Sequence, residues 1–123
     1  MLIKILIPNF DFKDERGSLT QLCRTGYKQI NVITSVANSV RGGHYHQDND
    51  EAFFIISGEL KLEVWNLNVN ENKEEYVFRE KDMFCIPKNI VHSFTFTRPT
   101  ILVSMYSKGV ELSDGTKDIL LEK

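Results

Sequence analysis

The chain has 123 residues, of which 41% are hydrophobic and 26% charged, with a formal net charge of −2. That size allows one hydrophobic core and hence a single domain over residues 1–123. The pI near 5.9 gives no electrostatic reason to expect nucleic acid or an anionic membrane, and no apolar run approaches the ~18 residues that a bilayer span needs.

The first ten residues, MLIKILIPNF, carry one lysine, a short apolar run that stops at Pro8, and no small-residue cleavage site. They read as an opening β-strand rather than a signal peptide. Short segments rich in Val, Ile, Phe, Tyr and Thr then recur: SLTQLC, KQINVITSV, EAFFIIS, ELKLEVWNL, EEYVFRE, DMFCIP, HSFTFT, TILVSMYS and DILLE. Leu60, Leu62 and Val64 fall on one face of their segment, with Lys61, Glu63 and Trp65 on the other. SGEL (57–60) is a tight turn between two strands, and NVNENKEE (68–75) a polar hairpin tip. About ten strands with no helix to cover a sheet predict an all-β sandwich or barrel. Cys23 and Cys85, far apart in apolar strand-like settings, read as free thiols of a reducing cytoplasm.

The chain has three histidines. His44 and His46 are two apart, so on a strand they share a face while Tyr45 points away. Glu51 shares its face with Phe53 and Ile55, and His92 with Phe94 and Phe96. Three imidazoles and a carboxylate can therefore converge inside one barrel. Such donors suit a borderline divalent ion such as zinc, manganese, iron(II), nickel or copper.

His44, His46, Glu51 and Gly58 stand at the spacing of the first cupin motif, and Pro87, Asn89 and His92 resemble the second, P-x-G-x2-H. Asn89 replaces a glycine of that motif. Lys81 stands where the family has another glycine, and Phe96 where it has an asparagine. The resemblance implies a single-domain cupin, a double-stranded β-helix of jelly-roll type, with His44, His46, Glu51 and His92 as ligands of a divalent metal (Zn, Mn, Fe or Ni). DERGSLT (14–20) together with RGGHYH (41–46) resembles a narrower group. It comprises the dTDP-4-keto-6-deoxysugar 3,5-epimerases, the 3,4-ketoisomerases, and the C-terminal cupin domain of capsular-polysaccharide enzymes.

What this resemblance implies is an isomerase acting on a dTDP- or UDP-linked 4-keto sugar in surface-polysaccharide biosynthesis. Arg16 would contact the nucleotide diphosphate, often across a dimer interface, and Arg41 the sugar or phosphate. His44 and His46 would carry the acid–base chemistry. A cytoplasmic homodimer is expected, with LIKILI pairing across the interface. Removing a proton next to a carbonyl needs a base of near-neutral pKa and a group that stabilises the enolate oxygen. Histidine meets the first demand; a metal, a tyrosine or an arginine meets the second. One imidazole nitrogen cannot bind a metal and take a proton at once, so two roles compete for the same atoms. Tyr106 is a candidate to return the proton. Trp65 and the phenylalanines of EAFFIIS and HSFTF are read as core. The ligand set also fits a metal-dependent cupin of another class, a dioxygenase or aldose isomerase, and a non-catalytic sugar-binding cupin remains a third reading.

Overall fold

The computed structural model describes residues 1–69 and 71–122. Twelve strands and no helix form among the described residues, so no helix is long and apolar enough to cross a membrane. They are β1 (Lys4–Leu6), β2 (Phe10–Asp14), β3 (Gly17–Gln21), β4 (Gln29–Ser35), β5 (Val40–Tyr45), β6 (Glu51–Ser57), β7 (Glu59–Asn66), β8 (Glu74–Arg79), β9 (Met83–Ile86), β10 (Ile90–Phe96), β11 (Thr100–Tyr106) and β12 (Leu120–Leu121). One sheet runs β1-β9-β6-β11-β4 and the other β12-β5-β10-β7-β8, while β2 and β3 pair only with each other. All ladders are antiparallel. From β4 to β12 the chain changes sheet at every connection except the β7–β8 hairpin, which is the winding of a double-stranded β-helix.

Alternation explains the layers. Leu60, Leu62 and Val64 on β7 are fully buried between the sheets, whereas Lys61 between them is exposed. Phe53, Phe84 and Phe78 stack in the same layer, with centroids 5.0 and 4.0 Å apart along the row. Each such side chain contributes about 1.5–3 kcal/mol by leaving water. A second cluster lies around Ala52, Phe54, Met83, Cys85 and Met105, on the opposite face of the β1-containing sheet, packed by Leu22, Cys23 and Tyr27. Both cysteines are free, and burial pushes the Cys85 thiol up to about 11.

Four details refine the sequence reading. SGEL is the tight turn between β6 and β7 and, because those strands belong to different sheets, forms a corner. Gly58 takes φ +102 there, and a Cβ would overlap the Pro99 carbonyl and Thr100. The NVNENKEE connection does join the paired β7 and β8, although Asn70 lies outside the described residues. Trp65, read as core, is buried although alternation puts it on the face of Lys61 and Glu63: its indole N–H donates to Glu122 at 2.9 Å and Lys73 sits 4.2 Å over the ring. Asn89 and Lys81 hold the left-handed conformation, φ +64 and +72, that glycine would adopt without strain.

Candidate active site

The RGGH stretch on β5 is bent by its two glycines. Along β5 and β10, His44 is opposite His92 and Gly42 opposite Ser93, so Gly43 is the extra residue of a β-bulge. On a regular strand Arg41 and His44, three apart, would point to opposite faces. The bulge puts both on the face that lines the cavity. Gly43 has φ +75, and a Cβ on Gly42 would collide with the Ser93 backbone and side chain. Gly42→Ala is therefore expected to cost about 1–3 kcal/mol through forced separation of β5 from β10. Urea unfolding checks the loss, and a value near zero would mean that the strands can part freely.

The three imidazoles and Glu51 meet between the sheets. His44 and His92 rings lie 4.4 Å apart by centroid, His44 and His46 5.4 Å, and His46 and His92 5.5 Å. His46 Nε2 is 2.8 Å from a Glu51 oxygen, and its Nδ1–H donates to the main-chain carbonyl of Asp118 at 2.6 Å. His92 Nδ1 lies 3.3 Å from the Ile90 carbonyl, and its Nε2 3.1 Å from His44 Nε2. Ser104 donates its hydroxyl to the second Glu51 oxygen. Glu51, His46, His92 and Ser104 are all buried, whereas His44 is half-buried.

These contacts set the charges. Burial disfavours an ionised Glu51, but the hydrogen bond from His46 and the neighbouring histidines outweigh it and hold the carboxyl below its usual range. Burial likewise works against a charged His46, yet Glu51 raises its pKa. His44 is lowered by burial and by the charge on His46. His92 falls to about 4, chiefly through burial.

A pH prediction follows for protein treated with chelator. His92 is protonated more readily in the unfolded chain, so its contribution holds above its unfolded value near ~6.5 and is lost as pH falls toward 4, by roughly 3 kcal/mol at the limit. His46 acts oppositely: its pairing is fully present below its unfolded pKa and lost as pH rises through the raised folded one. Urea unfolding of wild type and His92→Gln at about pH 7 and about pH 4.5 separates the two. A variant with the same acid-side loss as wild type would refute the His92 assignment.

A cavity of about 200 Å³ opens beside this cluster. Its apolar side is Ile33, Phe53, Phe94, Phe96, Leu102 and Ile119; its polar side is Arg41, His44, Glu51, His92 and Tyr106. Arg41 is exposed, with Nε 3.2 Å from Ser35 Oγ. Tyr106 stands edge-on to His46 at 5.2 Å, and burial together with Glu51 raises its phenol, so it is a neutral donor. His46 lies behind the cavity wall rather than in it.

Arg16 is not brought to this cavity. It caps the exposed β2–β3 turn, paired with Asp14 at 2.6 Å. The sequence reading took Phe53, Phe94 and Phe96 as core only, whereas they also floor the cavity. It missed Ser104 and Asp118, which carry no motif and reach the cluster only through the winding of the sheets.

The donor set fits a divalent ion. Bonds of ~2.0–2.2 Å require donor atoms roughly 3–3.5 Å apart. Here the ligand atoms of His44, His46 and His92 all lie within 4.8 Å of one another, and Glu51 is 2.8 and 3.8 Å from two of them. The Nδ1 contacts of His46 and His92 with main-chain carbonyls leave Nε2 as the donor atom, the usual orientation of a metal-binding imidazole.

An antiparallel double-stranded β-helix with such a cluster between its sheets is a cupin-type jelly roll. The chain belongs to the polysaccharide biosynthesis C-terminal domain family, which matches residues 12–111. Its fold is shared with a TDP-quinovose 3,4-ketoisomerase from Campylobacter jejuni (TM-score 0.80, 20% identity, 98% of this chain and 92% of that one). A 3,4-ketoisomerase from Thermoanaerobacterium thermosaccharolyticum in complex with TDP-4-keto-6-deoxyglucose is similar as well (TM-score 0.76, 16% identity, 97% and 86%). So is a dTDP-4-dehydrorhamnose 3,5-epimerase from Bacillus anthracis with TDP and pyrophosphate bound (TM-score 0.75, 20% identity, 92% and 75%). Among curated proteins, the uncharacterized YdbB of Bacillus subtilis is 37% identical over 49 residues, a match spanning 40% of this chain and 38% of that protein.

Proposed function

We propose that the chain is a nucleotide-sugar isomerase of surface-polysaccharide synthesis, an epimerase or ketoisomerase that takes a proton from the carbon next to the keto group of a 4-keto sugar. The observation that carries this reading is His44: a half-buried imidazole, kept neutral by burial, lining a cavity of about 200 Å³ beside Arg41. The family match and the ketoisomerase and epimerase folds support it.

In this reading His44 accepts the proton and the C–H electron pair moves onto the keto oxygen. Delivery of a proton to the opposite face of the same carbon by a second donor, the neutral Tyr106 hydroxyl, inverts it, with the His44 proton passing to solvent. Return of the His44 proton to the former carbonyl carbon, with a hydroxyl proton passing between the two oxygens, moves the keto group instead. Arg41 and the neutral Tyr106 hydroxyl face the same space and can hold the enolate oxygen. The apolar side excludes water from the ring. Without an ion, His46 acts from behind the wall through Glu51, whose charge it balances.

His46, Glu51 and His92, with His44 as a fourth donor before substrate enters, would hold a divalent ion that supplies Lewis-acid stabilisation of the keto oxygen. Assigning the proton to His44 relieves the competition for lone pairs, because the other three are the buried, doubly anchored members. Arg16 would serve a nucleotide diphosphate bound to a second copy of the chain, since its hairpin stands apart from the cavity of its own chain.

The test is incubation with TDP-4-keto-6-deoxyglucose in D2O, read by mass and proton spectra. Deuterium at a carbon next to the keto group is the expected result; tight binding with no exchange would indicate a sugar-binding cupin instead. Two histidines and a carboxylate are also the donor set of non-haem iron oxygenases. Oxygen uptake by Fe(II)-loaded protein on a small aromatic or thiol substrate, with no sugar exchange, would favour that second reading.

A further inference from the structure

Asp118 lies 72 residues from His46 in sequence and belongs to neither motif, yet it is 2% exposed and wholly engaged with the segment that follows His46. One carboxylate oxygen accepts the Gln47 N–H at 2.7 Å. The other accepts the Asp48 N–H at 2.9 Å and the Asn49 side-chain amide at 2.8 Å. Asn49, itself fully buried, donates also to the Gly109 carbonyl and accepts from the Lys108 and Gly109 N–H groups. The Asp118 N–H in turn donates to the Val110 carbonyl at 2.9 Å. The peptide at 118 is thus fixed from its amide and its side chain, and its remaining polar atom, the carbonyl oxygen, meets His46 Nδ1 at 2.6 Å.

A carbonyl oxygen can only accept, so this contact keeps the proton on Nδ1 and aims Nε2 at Glu51. We propose that Asp118 is a positioning residue for His46: by gathering the N–H groups that follow the histidine, its carboxylate holds its own main-chain carbonyl against Nδ1 and so fixes the ring plane and keeps the Nδ1 proton in place. The adjoining residues share the work of the tail. Ile119 lines the cavity, Leu120 and Leu121 pair with Tyr45 and His44, and Glu122 ties to Trp65. Residues 118–122 therefore form one side of the site.

The test is NMR of protein carrying 15N-labelled histidine, with deuterium exchange into TDP-4-keto-6-deoxyglucose measured alongside. Wild type is expected to show a downfield, slowly exchanging imidazole proton on His46 Nδ1. Asp118→Ala is expected to lose that signal and to lower exchange about 10–100-fold, the usual cost of removing a partner that orients a site histidine. A role confined to stability would lower the unfolding midpoint and leave the signal in place. If the alanine variant does not fold, Asp118→Asn is the second variant. Its single carbonyl oxygen cannot serve both N–H groups and the Asn49 amide, so partial loss of the signal is expected. A wild-type protein without the protected Nδ1 proton, or a folded variant that keeps it unchanged, would overturn the proposal. The effect on exchange rests on the reaction proposed above; the imidazole signal does not, so a wild type that shows the signal without turnover would count against the reaction alone.

Discussion

His44→Asn is expected to stop deuterium exchange into the sugar, lowering it by roughly 10²–10⁴-fold, the span that a positioned general base contributes. Substrate affinity should change little, because Arg41 and the apolar floor remain. The fold should also survive. His44 is half-buried at the cavity wall, its strand is held by main-chain pairing to β10 and β12, and asparagine needs no larger space. Exchange and thermal unfolding measured on the same sample separate loss of chemistry from loss of structure. Exchange at the wild-type rate in a folded variant would show that another group takes the proton.

The second large effect belongs to Glu51. Its carboxylate is in direct contact with the buried imidazoles of His46 and His92, and it takes hydrogen bonds from His46 and from Ser104. Glu51→Ala leaves a histidine whose charge was balanced without its partner, in a site with 3% exposure. Breaking a buried pair in this way costs about 3–5 kcal/mol, most of it from the stranded partner rather than from the pair itself. Urea unfolding is the measurement. The His46 pKa, followed through its ring proton, should drop in the same variant because the group that raises it has gone. A loss below about 1 kcal/mol, the range of exposed ion pairs, would contradict a buried charged pair.

How much of this the chain announces depends on the reach of each signal. Alternation within β7 and the apolar runs of β6 and β11 are local, and they locate strands that the structure contains. Alternation fails at Trp65, where two residues from other parts of the chain, Lys73 and Glu122, cover an outward-facing ring. The short β2 was not read as a strand. Its residues Phe10 and Phe12 are half-exposed and pair only with β3, so no buried face marks it.

The cluster of His44, His46, Glu51 and His92 was legible because period-two spacing and the cupin motif agreed. The inward turn of Arg41 was not, since it depends on a one-residue bulge whose register is set by the close approach of Gly42 to Ser93. Asp118 was out of reach for a related reason. Its role needs the 107–118 segment folded back onto the loop after His46, and DILLE by itself reads as an ordinary strand. The glycine replacements Asn89 and Lys81 illustrate the converse, a motif position at which conformation persists although the residue differs.

The measurement that bears most directly on the proposed reaction is a crystal structure of His44→Asn with TDP-4-keto-6-deoxyglucose bound. The reading predicts the hexose ring between Phe53, Phe94 and Arg41, with a carbon next to the keto group about 3–3.5 Å from the side chain at position 44. A sugar seated outside this cavity, or one whose acidic carbon faces the apolar floor, would contradict it.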